Sequence, residues 1–430
     1  MQTTFIDGDL VYRPHSFEVP LNYDYPSEKT ITVFAREIVA KQQQDTDLPW
    51  LVYLQGGPGF PSPRPDSNSG WLKRALQEYR VLLLDQRGTG QSTVISHQTL
   101  ASQSTDQQVA YLAQFRADNI VRDAEFIREA LKVKQWSILG QSFGGFCALH
   151  YLSYYPQSLT QAFITGGLAS LTRHADDVYQ ATYQRVLDKN AQFFSRFPSA
   201  QQRCNEIANY LVDNHVLLPN GQHFTVEQFQ LIGINLGRSG AELPMYYLLE
   251  EAFVEVDDKR ELSYAFLNSM LMEQAYQTNP IYAILHESIY CQHTASAWSA
   301  HRVRDQYPQC HYQKGQDFCF TGEMVFPWMF DQLECLKPLK AAADLLAEKS
   351  DWPLLYDVEQ LARNTVPVAA AVYLEDMYVE YAYSKETLTS LKNAKAWETN
   401  EYEHNGLRAD GERILTRLIQ LADGIDGRQI

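Results

Sequence analysis

One short stretch decides the fold, and it reads WSILGQSFGGFCALHYL over residues 136–152. Its first five residues are mostly apolar, which is typical of a strand buried on both faces of a parallel sheet. Residues 145–152 have the composition of a buried helix, and the GQSFG between them, at 140–144, matches Gly-x-Ser-x-Gly. Glycines are needed there because the turn from strand to helix is sharp and the serine backbone is strained. We therefore predict that Ser142 is a nucleophile at the end of a sheet strand.

Further strands and helices along the chain predict a parallel sheet around this turn. Apolar runs occupy residues 50–54 and 80–85, and each ends in a glycine-rich turn. A helix with apolar residues at helical spacing is predicted at 120–131. The remaining predicted elements are N-terminal β-rich runs at 10–12 and 30–35 that Pro14, Pro20 and Pro26 interrupt, strands beginning at 162, 366 and 394, and a closing helix at 413–419. Such alternation of strands and helices is typical of the α/β class.

The alternation stops near residue 171 and resumes near residue 364. The intervening chain is rich in Tyr, Gln, Glu and Leu and shows helical stretches without a clear buried strand. We predict an α/β-hydrolase fold, a mostly parallel sheet flanked by helices, because the serine turn joins a buried strand to a helix. Residues 1–170 and 364–430 are expected to form the catalytic domain. Residues 171–363, called the cap segment below, are expected to form a large, mainly helical cap inserted before the strand of the triad acid.

A serine nucleophile needs a base and an acid, and in this fold they follow the serine in the order acid, then histidine. Asp376 lies just beyond the strand predicted at 366–373, and its neighbour Glu375 is the alternative acid. His404 is the only histidine after His311, and it precedes the closing helix. We predict that His404 deprotonates Ser142 while Asp376 fixes the histidine tautomer.

An oxyanion formed during acyl transfer needs hydrogen-bond donors. One is expected to be the amide of Phe143, directly after the nucleophile. The other is expected to be the amide of Gly57, in the glycine-rich turn after the strand at 50–54.

The composition of the chain argues against several classes of protein. The chain has 52 acidic and 36 basic residues and a net charge of −16, which argues against nucleic acid as a partner. Residues 1–7 do not resemble a signal peptide, and no stretch is apolar and long enough to span a bilayer. The six cysteines are scattered and are expected to be reduced, and those at 310 and 319 lack the spacing of a zinc site. A cytoplasmic protein without a bound metal is expected.

Three motifs resemble the prolyl aminopeptidases, also called proline iminopeptidases. They are GGPG at 56–59, DQRGTGQS at 85–92 and GQSFGG at 140–145. The second motif is the most specific, and the long cap segment is similar to that of the larger bacterial members. Gln55 departs from the pattern, because many members have histidine there. The amide donors of the turn do not depend on that side chain.

The resemblance implies a serine exopeptidase that releases N-terminal proline from peptides without a metal or an organic cofactor. The resemblance does not decide whether the protein is a monomer or a homo-oligomer. Two alternatives remain: another α/β-hydrolase enzyme, such as an esterase or an aminopeptidase of broader specificity, and a non-catalytic binding protein on this fold.

The resemblance further implies that glutamates of the cap segment bind the charged amino terminus of the substrate. Carboxylates do so by charge-assisted hydrogen bonds. Glu287 and Glu323 are the candidates, ahead of Glu250 and Glu251. The pyrrolidine ring is expected in an apolar slot, for which the nearby aromatic candidates are Tyr290, Phe326 and Trp328. The same three residues fit the core of the cap segment equally well.

Overall fold

The structure, a computed structural model, describes residues 3–424 and is built around a nine-stranded mixed sheet. Its strands are β1 (Phe5–Asp7), β2 (Leu10–Pro20), β3 (Thr30–Ala40), β4 (Trp50–Leu54), β5 (Arg80–Asp85), β6 (Trp136–Gln141) and β7 (Leu159–Thr165), with a separate hairpin β8 (Phe253–Val256) and β9 (Lys259–Leu262), and then β10 (Val368–Tyr373) and β11 (Ala394–Thr399). The order across the sheet is β1-β2-β3-β5-β4-β6-β7-β10-β11. The six strands β5, β4, β6, β7, β10 and β11 are parallel, and β1, β2 and β3 pair antiparallel at one edge. The predicted α/β class is confirmed.

Helices cover both faces of this sheet. In the sheet region they are α1 (Gly70–Ala75), α2 (Thr105–Leu112), α3 (Ala117–Ala130), α4 (Phe143–Tyr154), and, after the cap segment, α16 (Tyr381–Ser390), α17 (Gly406–Ala409) and α18 (Gly411–Ala422). Successive side chains of a strand point to opposite faces. Leu51 and Tyr53 therefore pack with α18, while Val52 and Leu54 pack with α3 and α4. This two-sided burial is why the central strands are apolar throughout.

The cap segment is mainly helical. Its helices are α5 (Ala175–Arg196), α6 (Pro198–Asp213), α7 (Val226–Gln230), α8 (Glu242–Glu250), α9 (Tyr264–Met272), α10 (Ala275–Thr278), α11 (Pro280–Ile284), α12 (Ser299–Val303), α13 (Met329–Gln332), α14 (Lys340–Glu348) and α15 (Val358–Ala362). Short 3-10 turns connect them, among them Leu231–Gly237 and Glu287–Tyr290. The hairpin of β8 and β9 was not anticipated, because most of its residues are exposed and it lacks an apolar face.

The N-terminal strands are longer than predicted. We expected Pro14 and Pro20 to interrupt the β-rich run, yet both lie within β2. The partner strand β1 covers only residues 10–12, so β2 is the edge of the sheet from Arg13 onward. Proline is tolerated at an edge because no neighbouring strand needs its missing N–H.

Two boundary findings complete the fold. Residues 1–2 and 425–430, which the sequence assigned to the catalytic domain, lie outside the described residues. Among the helices between residues 3 and 424, none has the length and apolar character needed to cross a bilayer.

Candidate active site

Ser142 lies at the sharp turn between β6 and α4. Its backbone has φ 55° and ψ −126°, a combination that side-chain-bearing residues rarely adopt. Such a conformation costs about 1–3 kcal/mol and persists only where the surroundings hold it. Here the Ser142 amide donates to the carbonyl of Thr165 on β7, at 3.0 Å. This backbone conformation directs the serine side chain away from the sheet, at the edge where the parallel strands end.

The glycines of this motif are required by close approach of the backbone. A Cβ atom on Gly144 would lie 1.9 Å from the carbonyl oxygen of Leu54, and one on Gly140 would lie 2.3 Å from the oxygen of Gly144. Both contacts are with main-chain atoms, one at the end of the neighbouring strand β4 and one within the turn itself. A larger residue at Gly140 would therefore displace β6 from α4, and one at Gly144 would displace α4 from the end of β4.

Ser142, His404 and Asp376 form a hydrogen-bonded line. The Nε2 atom of His404 is 2.9 Å from Oγ of Ser142, and its Nδ1 atom is 2.8 Å from Oδ2 of Asp376. The other carboxylate oxygen of Asp376 accepts the amides of Tyr378 and Val379 at 2.8 and 3.1 Å. Both oxygens of the acid are thus occupied, which fixes the direction in which it faces the histidine.

The alternative acid, Glu375, is not part of this line. Its side chain is half exposed and accepts hydrogen bonds from Lys189 and Gln192, both at 3.3 Å. The structure therefore brings Asp376, and not Glu375, to His404.

The surroundings of His404 favour its protonated form. Burial alone would lower the pKa of His404, but the charge and the hydrogen bond of Asp376 outweigh burial and raise this pKa above its ordinary value. Glu323 raises the pKa further and Arg238 opposes it. The ring also stacks on Tyr378, with centroids 4.4 Å apart. A neighbouring carboxylate in this geometry stabilises the imidazolium that forms when a histidine accepts a proton.

The two amides predicted as oxyanion donors flank Ser142. Phe143 begins α4, and Gly56 packs so closely on the nucleophile that a Cβ atom there would lie 2.9 Å from Cβ of Ser142. The next residue, Gly57, has φ 126°, which favours glycine. Gln86 donates from its side chain to the carbonyl of Gln55 at 3.0 Å and so anchors this turn. The structure brings both amides to the same end of the sheet as the serine.

The DQRGTGQS motif holds the loops around the site. Asp85 accepts hydrogen bonds from the amide of Ser62 at 3.1 Å and from the guanidinium of Arg64 at 2.8 Å. Arg87 is fully buried and pairs with Asp123 through two hydrogen bonds of 2.7 and 2.5 Å. The residues that make this motif characteristic of the family therefore serve to pack the loops after β4 and β5.

A cavity of about 810 Å³ opens above Ser142 and His404. The cap segment supplies the opposite wall. The cavity-lining residues from that segment include Ile232, Ile234, Arg238, Met270, Tyr276, Tyr282 and Glu323. This size is typical of a small-molecule or short-peptide site, and the lining combines apolar groups with a few polar ones.

Glu323 is the predicted glutamate that lines this cavity. Its side chain is mostly buried, at 11 % exposure, and Oε1 accepts a hydrogen bond from the hydroxyl of Tyr282 at 2.5 Å. His286 approaches the other oxygen at 3.9 Å. The segment that carries Glu323 is fixed by Asn190 of α5, whose side chain bonds both the amide and the carbonyl of Phe320. The Glu323 carboxylate therefore lies in the same cavity as the serine.

Glu287 occupies a different place. It is buried, but it does not line the cavity, and its two oxygens accept the amides of Ser299 and Ala300 at 3.0 and 2.9 Å. These amides begin α12, so the carboxylate caps a helix N-terminus. The structure does not support the prediction that Glu287 binds a substrate amino group, because its carboxylate lies outside the cavity and both of its oxygens face the start of α12.

The predicted aromatic slot is also placed elsewhere. Phe326 and Trp328 stack on one another, and Tyr290 packs on Phe146; none of the three lines the cavity. The aromatic residues that do line it next to Glu323 are Phe60, Tyr276, Tyr282 and Tyr378. Sequence reasoning missed them because no motif marks them and they come together only through packing of the cap segment on the sheet.

Comparison with known proteins places the chain in a family. Residues 49–261 match the family model described as alpha/beta hydrolase fold. The chain is 59% identical over 418 residues to a proline iminopeptidase of Aeromonas sobria, covering 97% of both chains. It is 37% identical to a proline iminopeptidase of Aspergillus aculeatus, covering 95% of this chain and 92% of the relative. Two relatives of this similarity, matched along nearly their whole length, show that the chain belongs to the proline iminopeptidase family of α/β hydrolases.

Proposed function

We propose that this protein is a serine aminopeptidase that releases N-terminal proline from peptides through an acyl-enzyme on Ser142. The observation that carries the proposal is the position of the Ser142–His404–Asp376 line beneath a cavity that also holds the Glu323 carboxylate. Such a cavity offers both a nucleophile and a partner for a charged amino terminus. The family relationship supports the same activity.

The chemistry follows from the hydrogen bonds. Nε2 of His404 accepts the proton of Ser142 while Oγ attacks the prolyl carbonyl carbon. The amides of Gly57 and Phe143 stabilise the resulting oxyanion. The histidine then donates its proton to the nitrogen of the departing peptide. Water, activated by the same histidine, hydrolyses the prolyl ester and frees Ser142.

An exopeptidase must also hold the substrate amino group beside the scissile bond. In this scheme Glu323 accepts hydrogen bonds from the charged prolyl amine, and the hydroxyl of Tyr282 holds the carboxylate in position, with His286 near its other oxygen. The aromatic residues around it, Tyr276 among them, supply an apolar wall for the pyrrolidine ring. The cap segment, proposed as a separate helical unit over residues 171–363, thereby sets the specificity.

The cysteines bear on the compartment in which the protein works. All six cysteines lie within the described residues as free thiols, five of them buried. Free thiols are typical of proteins in a reducing compartment. We propose that the protein works in the cytoplasm.

Replacing Glu323 with glutamine tests the recognition of the amino group. The substitution keeps the volume and the hydrogen bond from Tyr282 but removes the charge. A hydrogen bond to a charged group contributes about 1.5–3 kcal/mol, so kcat/KM for proline naphthylamide is expected to fall about 10- to 100-fold. Hydrolysis of an activated acetate ester, which has no amino group, should change little.

Two glutamine variants serve as comparisons for this test. Glu273→Gln alters an exposed glutamate at the mouth of the same cavity and is expected to leave kcat/KM within about twofold. Glu287→Gln weakens a helix cap and should act mainly on thermal stability. An equal loss of prolyl activity in Glu287→Gln and Glu323→Gln would contradict the assignment of the amino group to Glu323.

The pH dependence of nucleophilic attack is expected to follow the neutral form of His404. Because Asp376 and Glu323 raise the pKa of His404, the reactivity of Ser142 should fall as the pH drops through a value above about 6.5. Labelling by a fluorophosphonate probe measures this without a titrating substrate amine. Removing one anion lowers the pKa of the histidine, so Glu323→Gln should move the acid limb to lower pH. A shift to higher pH would refute this account of the electrostatics.

A further inference from the structure

A lysine of the cap segment is buried against the catalytic loops. Lys189 lies on α5, and only 4% of its side chain is exposed. Its ammonium group donates to Oε1 of Glu403 at 2.6 Å and to Oε2 of Glu375 at 3.3 Å. Burying a charge in this way is costly unless partners offset the loss of water, and here two carboxylates do so.

The positions of these two carboxylates in the chain are informative. Glu403 immediately precedes His404, and Glu375 immediately precedes Asp376. One ammonium group therefore joins the loop after β10, which carries the acid, to the loop after β11, which carries the histidine. Neither glutamate lines the cavity above Ser142, so this ion-pair cluster does not contact substrate.

Backbone contacts from the cap segment reach the same histidine loop. The amide of His404 donates to the carbonyl of Gly237 at 3.2 Å, and the amide of Glu403 donates to Oγ of Ser239 at 2.9 Å. In return the amide of Ser239 donates to the side chain of Asn405 at 2.7 Å. The histidine loop is thus held by the cap segment as well as by the sheet.

We propose that Lys189 is a positioning residue that holds His404 and Asp376 in reactive geometry. It acts through Glu403 and Glu375, and it makes the cap segment part of the support of the catalytic line as well as the wall of the substrate cavity. Displacing reacting groups by about 1 Å can cost about 100-fold in rate, so a clamp on both loops has a measurable effect. The inference rests on the proposed role of Ser142, but it does not depend on specificity for proline.

Replacing Lys189 with methionine tests the clamp, because methionine keeps most of the side-chain volume and removes the ammonium group. Labelling of Ser142 by a fluorophosphonate probe and kcat for proline naphthylamide should both fall about 10- to 100-fold, with KM within about threefold. Lys189→Arg, which retains the charge, should recover at least a third of the wild-type labelling rate. The probe needs no amino-group recognition, so it reports on the serine even if prolyl activity is absent.

The matched control is Arg185→Met on the same helix. Arg185 pairs with Glu380 at 2.8 and 2.9 Å and so also ties α5 to the chain beyond Asp376, but its partner does not adjoin the acid or the histidine. Its labelling rate should stay within about twofold of wild type. An equal loss in both variants would overturn the proposal, because any broken contact of α5 would then have the same effect.

A double variant separates positioning from simple stability. Lys189→Met leaves Glu403 buried without its cation, whereas Lys189→Met combined with Glu403→Gln removes both charges and should fold even where the single variant does not. The clamp is absent from the double variant, so its labelling should remain about 10-fold slow. Recovery of the wild-type rate in the folded double variant, or a wild-type rate in folded Lys189→Met, would refute the role of Lys189.

Discussion

Replacing Ser142 with alanine is expected to lower kcat for proline naphthylamide by about 10⁴- to 10⁶-fold. The reason is that the substitution removes the attacking oxygen of the proposed mechanism, which lies 2.9 Å from Nε2 of His404. What remains is the contribution of the Gly57 and Phe143 amides and of substrate binding. Active-site titration with a fluorophosphonate probe should show no labelled protein.

The fold should survive this substitution. Alanine has the same Cβ atom as serine, so it meets the strained backbone at φ 55° under the same steric limits. The circular dichroism spectrum and the midpoint of thermal unfolding should therefore match the wild type closely. Ser390→Ala, which removes the hydroxyl of a serine on α16, serves as the control and should keep full activity. Wild-type turnover by folded Ser142→Ala would exclude the proposed mechanism.

Replacing Asp376 with asparagine is expected to reduce kcat by about 10⁴-fold. The amides of Tyr378 and Val379 both donate to Oδ1 of Asp376, so the asparagine carbonyl is held at that position and its NH₂ group faces Nδ1 of His404. Nδ1 must then accept a hydrogen bond, which places the ring proton on Nε2. A histidine in this tautomer cannot take the proton of Ser142.

This loss should appear in kcat with KM little changed, because Asp376 does not touch substrate. The probe-labelling rate should fall by a similar factor. Asp331→Asn, at an exposed aspartate paired with Lys340, is the matched control and should behave as the wild type. If Asp376→Asn retained more than about a tenth of the wild-type kcat, Asp376 would not be setting the tautomer, and Glu375 would have to be reconsidered.

Most of the catalytic line could be predicted from sequence because its signals are local or follow chain order. The Gly-x-Ser-x-Gly pattern needs a glycine for a contact within one turn, the approach of Gly140 to the carbonyl of Gly144. Asp376 and His404 follow the ends of strands, and parallel strands bring their carboxyl ends to one edge. Asp376 and Glu375 are separated only by the tertiary structure, because the sequence does not contain the direction in which each side chain points after the strand.

The roles of residues in the cap segment could not be predicted from the sequence in this way. Glu287 and Glu323 are both mostly buried, and each has an aromatic residue three positions later in the chain, so the sequence does not distinguish them. One caps α12, and the other reaches the cavity because Asn190 of α5 fixes the chain at Phe320. Contacts between helices and irregular chain leave no period in the sequence, so their outcome is decided only when the segment packs.

The sequence by itself thus determined the buried parallel strands, the strained serine turn and the order of nucleophile, acid and base, since each depends on short-range patterns or on chain order. Tertiary structure alone decided that Glu323 shares the cavity with Ser142, that Glu287 does not, and that Lys189 joins the loops of Asp376 and His404. These residues are distant in the chain, and only the packing of the cap segment on the sheet brings their charges within hydrogen-bonding distance or separates them.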